Sequence, residues 1–96
     1  MARSEEGNRI IITVLGHDRV GIIAGISAIL ADARINILDI NQTILQGFFT
    51  MVMVADITDS TKDIAQLRDI LNLKGQELEL QITVQHEDIF NFMHRI

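Results

Sequence analysis

The period of the hydrophobic pattern changes several times along the chain, and the order of these changes constrains the fold more than any other feature. Residues 9–15 are rich in β-branched side chains and apolar on both faces, which favours a central β-strand. Residues 20–33 then repeat apolar side chains at the 3.6-residue spacing of a helix that packs on a sheet. Gly25 within this segment predicts close helix packing, because a helical glycine otherwise costs about 1 kcal/mol relative to alanine.

A β-hairpin is predicted next. Residues 35–45 mix apolar and polar positions, as a strand near the edge of a sheet does, whereas residues 48–57 are almost wholly apolar. Gln46-Gly47 joins the two segments, and glycine supplies the positive φ that a tight turn needs. These residues therefore predict two antiparallel strands connected by a short turn.

A second helix and a last strand complete the pattern. Ser60 is predicted to cap a helix over residues 61–73, with Lys74 in its last turn and Gly75 just beyond it. Residues 77–85 alternate apolar and polar side chains, which is typical of a half-exposed strand. The order β-α-β-β-α-β predicts an α+β fold, the ferredoxin-like sandwich, in which a four-stranded antiparallel sheet carries both helices on one face. The first and third strands are expected at its centre.

Length and composition predict one domain with short additions at both ends. The chain has 96 residues, of which 48% are hydrophobic, and this fits a single globular domain over residues 9–87 after a polar tail, residues 1–8. Residues 88–96 predict an extra short C-terminal helix whose apolar side chains share one side. These side chains are Ile89, Phe92, Met93 and Ile96. The helix is a candidate for contact with the sheet or with a partner subunit.

Charge and residue usage exclude several classes of function. The formal net charge of −5 and the scattered basic residues argue against a nucleic-acid partner. The absence of cysteine excludes a disulfide framework, a cysteine-based zinc site and a cysteine nucleophile. The polar N-terminus lacks a signal-peptide core, and the longest mostly apolar run, residues 20–31, is too short to span a bilayer. The sequence therefore predicts a soluble, cytoplasmic protein without a membrane partner.

The loop after the first predicted strand carries the motif that points to a function. It reads Gly16-His17-Asp18-Arg19-Val20-Gly21, a polar turn between two glycines that opens the first helix. Backbone N–H groups at a helix N-terminus lack intrahelical partners and carry a partial positive charge, so this turn suits an anionic group. It is not a phosphate-binding P-loop, because Ile22-Ile23 stand where that motif needs Lys and Ser or Thr.

Together with Asn36-Ile37 at the start of the second strand and the element order, the loop Asp18-Arg19-Val20-Gly21 resembles the ACT domain over residues 10–84. The chain resembles in particular small stand-alone ACT proteins of uncharacterised role, and glycine-cleavage-system repressor proteins are similar at a greater distance. The family often has proline where this chain has Val20; proline is favoured but not required at the first position of a helix. The resemblance implies a regulatory domain, not an enzyme, that binds an amino acid or a similar small metabolite.

The resemblance also implies where the ligand lies. In ACT domains that bind amino acids, the ligand sits between the first strand-to-helix loop and the start of the second strand, often at a subunit interface. Carried over to this chain, Asp18 accepts from the ligand ammonium, and Asn36 donates and accepts one hydrogen bond each. The ligand carboxylate accepts hydrogen bonds from backbone N–H groups around Val20, Gly21 and Ile22.

Each candidate has an alternative role. Asp18 is also a candidate N-cap residue of the first helix, and Asn36 a residue that shapes the turn into the second strand. His17 and Arg19 are secondary ligand candidates. Arg19 with Asn41 resembles the arginine and asparagine of acylphosphatase, which shares the element order, but the surrounding residues do not match that family's phosphate loop. No catalytic residue is therefore predicted.

Two further possibilities concern a metal site and a protein partner. His86-Glu87-Asp88 with His94 offers metal-ligating side chains without a recognised spacing, so neither a metal site nor a cofactor is predicted. The alternative to a ligand sensor is an interaction module, in which the edge strand or the terminal helix joins subunits or a protein partner. A domain of this size leaves apolar surface for a partner, which favours a homodimer in either case.

Overall fold

The computed structural model describes residues 8–88, which form a four-stranded antiparallel sheet and two helices. The elements are β1 (Arg9–His17), α1 (Ile22–Asp32), β2 (Asn36–Leu45), β3 (Phe48–Asp56), α2 (Ile64–Leu78) and β4 (Leu80–His86). The strand order β2-β3-β1-β4 confirms the ferredoxin-like fold with β1 and β3 at its centre. Of the predicted N-terminal tail only Asn8 is described, and of the predicted C-terminal helix only Asp88; the rest lies outside the described residues.

The core lies between one face of the sheet and the two helices. Alternate residues of the central strands point into it, and the register places Ile12 of β1 opposite Met53 of β3, both fully buried. The helices contribute Ile22, Ile26 and Leu30 from α1 and Leu67 and Leu71 from α2. Full burial of one such side chain stabilises the fold by about 1.5–3 kcal/mol. Neither described helix has the length and apolar composition needed to cross a membrane.

The turn between β2 and β3 is the one that its sequence predicts. Gln46 and Gly47 have φ values of 51° and 83°, as a two-residue hairpin turn with positive φ at both positions requires. The turn sets the register of the hairpin, so that Ile40 lies opposite Met53 and Ile44 opposite Phe49. Because Met53 and Phe49 are buried beneath the helices, Ile40 and Ile44 lie on the same face of the sheet as the helices.

The N-terminus of α2 differs from the prediction. The N-cap residue is Asp63, whose carboxylate accepts from the Gln66 N–H while the Gln66 side chain accepts from the Asp63 N–H. In this reciprocal capping box the backbone N–H groups of Asp63 and Gln66 both have acceptors. The Ser60 hydroxyl instead donates to the carbonyl of Lys62 at 2.7 Å, in the turn before the helix.

The C-terminus of α2 also differs, because the helix does not end at Gly75. It continues to Leu78 and ends at Glu79, which has a φ of 59°. Residues 77–79 of the predicted strand therefore belong to α2 or its cap, and β4 begins at Leu80. Gly75 is buried against β4, where a Cβ would lie 2.8 Å from the carbonyl oxygen of Leu80. Close packing on β4, not helix termination, explains this glycine.

The start of α1 corrects a further prediction. The N-cap position is occupied by Gly21, at a φ of 95°, and not by Asp18. Glycine adopts this left-handed conformation without steric cost and so places the turn directly before the helix. The close packing predicted at Gly25 is also wrong, since a Cβ there would meet its nearest neighbour, Lys74 Cδ, at an ordinary 3.7 Å.

Candidate ligand-binding site

An open groove of about 240 Å³ lies where the loop after β1 leads into α1. Its walls come from this loop, the first turn of α1 and the adjacent faces of β2 and β3. The lining residues are Asp18, Arg19, Gly21, Ile22, Ile23, Ala24, Gln42, Ile44 and Phe49. The Asp18 N–H donates to the carbonyl of Gly47 at 2.8 Å and holds the loop against the hairpin turn. The groove is smaller than the roughly 300–1,000 Å³ typical of drug-sized ligands, so its size suits a small metabolite.

The N-terminus of α1 opens into this groove without a side-chain cap. Gly21 has no side chain to accept a hydrogen bond, and the first turn of α1 contains no acidic residue. In α2, by contrast, Asp63 accepts from the first turn. The first N–H groups of a helix lack intrahelical partners and carry roughly half a positive charge. The uncapped end of α1 can therefore bind an anionic group.

The Asp18 carboxylate provides an acceptor at the same groove. The residue is exposed, and within residues 8–88 its side chain has no hydrogen bond or salt bridge. Val20, two residues later, has a side chain that is 98% exposed and does not line the groove. Of these predicted residues, the structure thus brings Asp18, Gly21 and Ile22 together, whereas Val20 can contribute through its backbone alone.

Arg19 connects the loop to the end of α2. Its Nη1 donates to the carbonyl of Leu78 at 3.1 Å, and carbonyl groups of the last helical turn lack intrahelical partners. Asn41 lies on the other face of the sheet, opposite Val52, which alternates with the buried Met51 and Met53 of β3. Arg19 and Asn41 therefore do not form an acylphosphatase-like pair.

His17 lies on the helix-free face of the sheet, away from the groove. It is opposite Phe48 in the register, and the two rings stack with centroids 4.8 Å apart and an interplanar angle of 25°. Such stacking stabilises the end of the strand pair. In this chain His17 therefore packs against Phe48 instead of facing the groove.

Asn36 is far from Asp18 within one chain. It begins β2 opposite Asp56, whereas Asp18 is bonded to the hairpin turn beyond the other end of β2. At about 3.3 Å per residue, the strand separates its two ends by roughly 30 Å. Asn36 lines a second cavity, of about 280 Å³, together with Arg34, Ile35 and Asp59. A single chain therefore does not join the two halves of the predicted site.

Gln42 and Ile44 line the groove, although neither was predicted as a site residue from the sequence. The position of the hairpin turn in the sequence could have indicated both residues, because the turn sets the strand register. A two-residue turn at Gln46-Gly47 pairs Gln42 with Met51 and Ile44 with Phe49, which places both on the helix-covered face. Arg34 and Asp59 were missed as well, because they come together from two loops that no sequence period connects.

The β2 strand is exposed along its entire length. It forms one edge of the sheet, and all ten residues from Asn36 to Leu45 are exposed. The large apolar side chains among them are Ile37, Leu38, Ile40, Ile44 and Leu45. A free strand edge with exposed apolar side chains on both faces is typical of a surface that pairs with another chain.

The metal-ligating side chains considered in the sequence begin at the end of β4, with His86, Glu87 and Asp88. Among residues 8–88 no three His, Asp or Glu side chains are grouped so that they could hold a metal ion, and His94 lies outside this range. Glu87 accepts from the guanidinium of Arg9, Nε at 3.0 Å to one carboxylate oxygen and Nη2 to the other. This bidentate pair ties the start of β1 to the end of β4.

Comparison with known proteins agrees with the geometry. The family model of the ACT domain matches residues 8–85. The UPF0237 protein CPE1496 of Clostridium perfringens (strain 13 / Type A) is 56% identical over 86 residues, which are 90% of this chain and 97% of that protein. An ACT domain protein from Streptococcus pneumoniae has a TM-score of 0.76 and 40% identity over 88% of this chain and 96% of its own. A proposed glycine cleavage system transcriptional repressor has a TM-score of 0.73 and 26% identity over 82% of this chain and 45% of its own. The chain therefore belongs to the ACT domain family, whose members are regulatory rather than catalytic domains.

Proposed function

We propose that this protein is a regulatory domain that binds an amino acid, or a similar small metabolite, between two copies of the chain. The observation that carries the proposal is the uncapped N-terminus of α1, which opens into a groove beside the Asp18 carboxylate, and this carboxylate has no partner among residues 8–88. The ligand carboxylate accepts from backbone N–H groups around Gly21 and Ile22, and Asp18 accepts from the ligand ammonium. The groove thus has separate places for the two charges of an amino acid.

Antiparallel pairing of β2 with β2 of a second copy would complete this site. A two-fold axis that joins the free edges brings Asn36 of the partner subunit to the hairpin end of β2, where Asp18 lies. The amide of Asn36 then contacts the ligand that Asp18 of the other subunit holds. The same pairing covers Ile40 and Ile44, whose exposure in one chain supports it.

Binding at such an interface couples the ligand to the assembly. A ligand that contacts both subunits has a higher affinity for the paired arrangement than for separate chains, and it shifts the population by that difference. A partner protein that binds only the paired arrangement would then respond to the metabolite. This coupling gives the domain its regulatory role.

Calorimetric titration of the wild-type protein with the common amino acids tests the proposal, since the chain has no Trp or Tyr to report binding by fluorescence. We expect the heat of binding to be selective for particular amino acids. At one hundred times its dissociation constant, such a ligand also raises the free energy of unfolding by about 2.7 kcal/mol. Asp18→Ala is expected to abolish binding but keep the oligomeric state. Asp69→Ala, which removes another exposed carboxylate on α2, is the control and is expected to bind as wild type.

Two results would count against the assigned site. Normal binding by Asp18→Ala would place the ligand elsewhere. No heat from any amino acid at millimolar concentration would instead favour the second candidate function, a protein interaction module without a ligand. The observation in favour of that alternative is the fully exposed β2 edge, which could pair with another chain by itself.

A further inference from the structure

The second cavity lies at the other end of β2 from the α1 groove and is built by two loops that are held together. Arg34 belongs to the loop between α1 and β2, and Asp59 to the loop between β3 and α2. The Thr61 N–H donates to the carbonyl of Ala33 at 2.9 Å and joins these loops. Ile35 is buried at 6% exposure, so the cavity has an apolar side and an exposed polar rim.

The rim holds a cation and an anion that are not paired with each other. Within residues 8–88 the side chains of Arg34, Asn36 and Asp59 have no hydrogen bond or salt bridge. A guanidinium offers donors only, a carboxylate offers acceptors only, and the amide of Asn36 offers both. The rim is therefore complementary to a group that presents an acceptor and a donor side by side.

The backbone of Arg34 allows its side chain to be removed without straining the fold. Its φ is 61°, directly after the end of α1, and its N–H donates to the carbonyl of Ala31 at 3.0 Å. Glycine is the usual residue at such a helix end, because the left-handed conformation strains other L-residues. Glu79 has the same conformation, so glycine can replace either residue without backbone strain.

We propose that Arg34 and Asp59 are specificity residues that select an amino acid with a carboxamide side chain, glutamine or asparagine. The inference rests on the proposed function. Asn36 lines this cavity and, in the proposed dimer, contacts the ligand held by Asp18 of the other subunit. The ligand side chain extends from Asn36 into the cavity, where Arg34 donates to the carboxamide oxygen and Asp59 accepts from the carboxamide nitrogen.

Other side chains fit this rim less well. The carboxylate of glutamate or aspartate would meet the like charge of Asp59, and the ammonium of lysine would meet that of Arg34. An apolar side chain would displace the water around both charged groups and would offer no hydrogen bonds in place of those that the water had made. A serine or threonine hydroxyl donates and accepts at a single oxygen, whereas a carboxamide presents its acceptor to Arg34 and its donor to Asp59 on two separate atoms.

Titration of the full chain with glutamine, asparagine, glutamate and aspartate tests the inference. We expect glutamine or asparagine to bind at least about tenfold more tightly than the matching acid. Asp59→Asn removes the repelling charge, so the preference for the amide over the acid should fall by about tenfold or more. Arg34→Gly should weaken binding of the amide at least about tenfold without lowering the melting temperature, because glycine relieves the backbone strain.

Glu79→Gly is the matched control for Arg34→Gly. Glu79 also has a left-handed backbone, with a φ of 59°, at the end of α2, is exposed and lines neither cavity. Glu79→Gly should show the same thermal effect as Arg34→Gly and unchanged binding.

A wild-type protein that binds amide and acid equally, or Arg34 and Asp59 variants that bind as wild type, would overturn this inference. The proposed function would still stand if Asp18→Ala abolished binding, whereas failure of every amino acid to bind would overturn both. A melting temperature that falls with Arg34→Gly but not with Glu79→Gly would assign Arg34 to the fold and also overturn the inference.

Discussion

Replacing Ile40 and Ile44 together by glutamate is expected to convert the protein from a dimer to a monomer and to abolish amino-acid binding. The two side chains are 42% and 56% exposed in one chain and lie on the helix-covered face of the β2 edge. In the proposed dimer, glutamates at these positions would bring unpaired like charges into the interface, at a cost of several kcal/mol. The dimer dissociation constant should therefore rise by more than about 100-fold, as measured by sedimentation over a range of protein concentrations.

The control for this variant is Gln81→Glu with Thr83→Glu. These residues are exposed on β4, the opposite edge of the sheet, and the double substitution adds the same charge. The control should remain dimeric and bind amino acids normally. A wild-type protein that sediments as a monomer, or a β2 variant that remains a dimer, would refute the assignment of β2 as the interface.

Gly75→Ala is expected to lower the free energy of unfolding by about 1–3 kcal/mol, with a loss of several degrees in the melting temperature. The added Cβ would lie 2.8 Å from the carbonyl oxygen of Leu80 and 3.4 Å from the side chain of Ile82. The carbonyl belongs to the backbone of β4 and cannot rotate away as a flexible side chain would. Calorimetric unfolding measures the effect.

Gly25→Ala in α1 provides the comparison for Gly75→Ala. Its Cβ would find Lys74 Cδ at 3.7 Å and Leu78 Cδ1 at 3.8 Å, both ordinary contacts. The higher helix propensity of alanine should then raise stability by up to about 1 kcal/mol. If both substitutions had the same sign, the close approach of α2 to β4 would not be the reason for the glycine at position 75.

The fold was predictable because hydrophobic period and turn chemistry agree along most of the chain. The positive φ predicted at Gly47 is present, Gln46 also has a positive φ, and this two-residue turn sets the register of the hairpin. The ends of α2 were not predictable in the same way. Ser60 and Asp63 both suit an N-cap, and the reciprocal bond to Gln66 decides between them. Gly75 suits a helix end equally well, and its contact with β4 appears only once the chain has folded.

The candidate site was predictable in its local part. The sequence of the polar turn before α1 indicates an anion-binding loop. Only the structure shows that Gly21 leaves the N-cap without a side chain and that the Asp18 carboxylate has no partner in the described part of the chain. The relation of Asp18 to Asn36 was not predictable from residue patterns. The two residues lie at opposite ends of β2, so only an arrangement of two chains can bring them to one ligand.

Mixing the Asp18→Ala and Asn36→Ala proteins tests the central claim, that one ligand is held by two copies of the chain. Each variant alone should fail to bind, since every site in its homodimer lacks one contact. A mixed dimer keeps one intact site, with Asp18 from one chain and Asn36 from the other, so calorimetry of an exchanged equimolar mixture should recover about one quarter of the wild-type sites. A mixture that binds no more ligand than its separate components would contradict the claim that Asp18 and Asn36 of two chains hold one ligand.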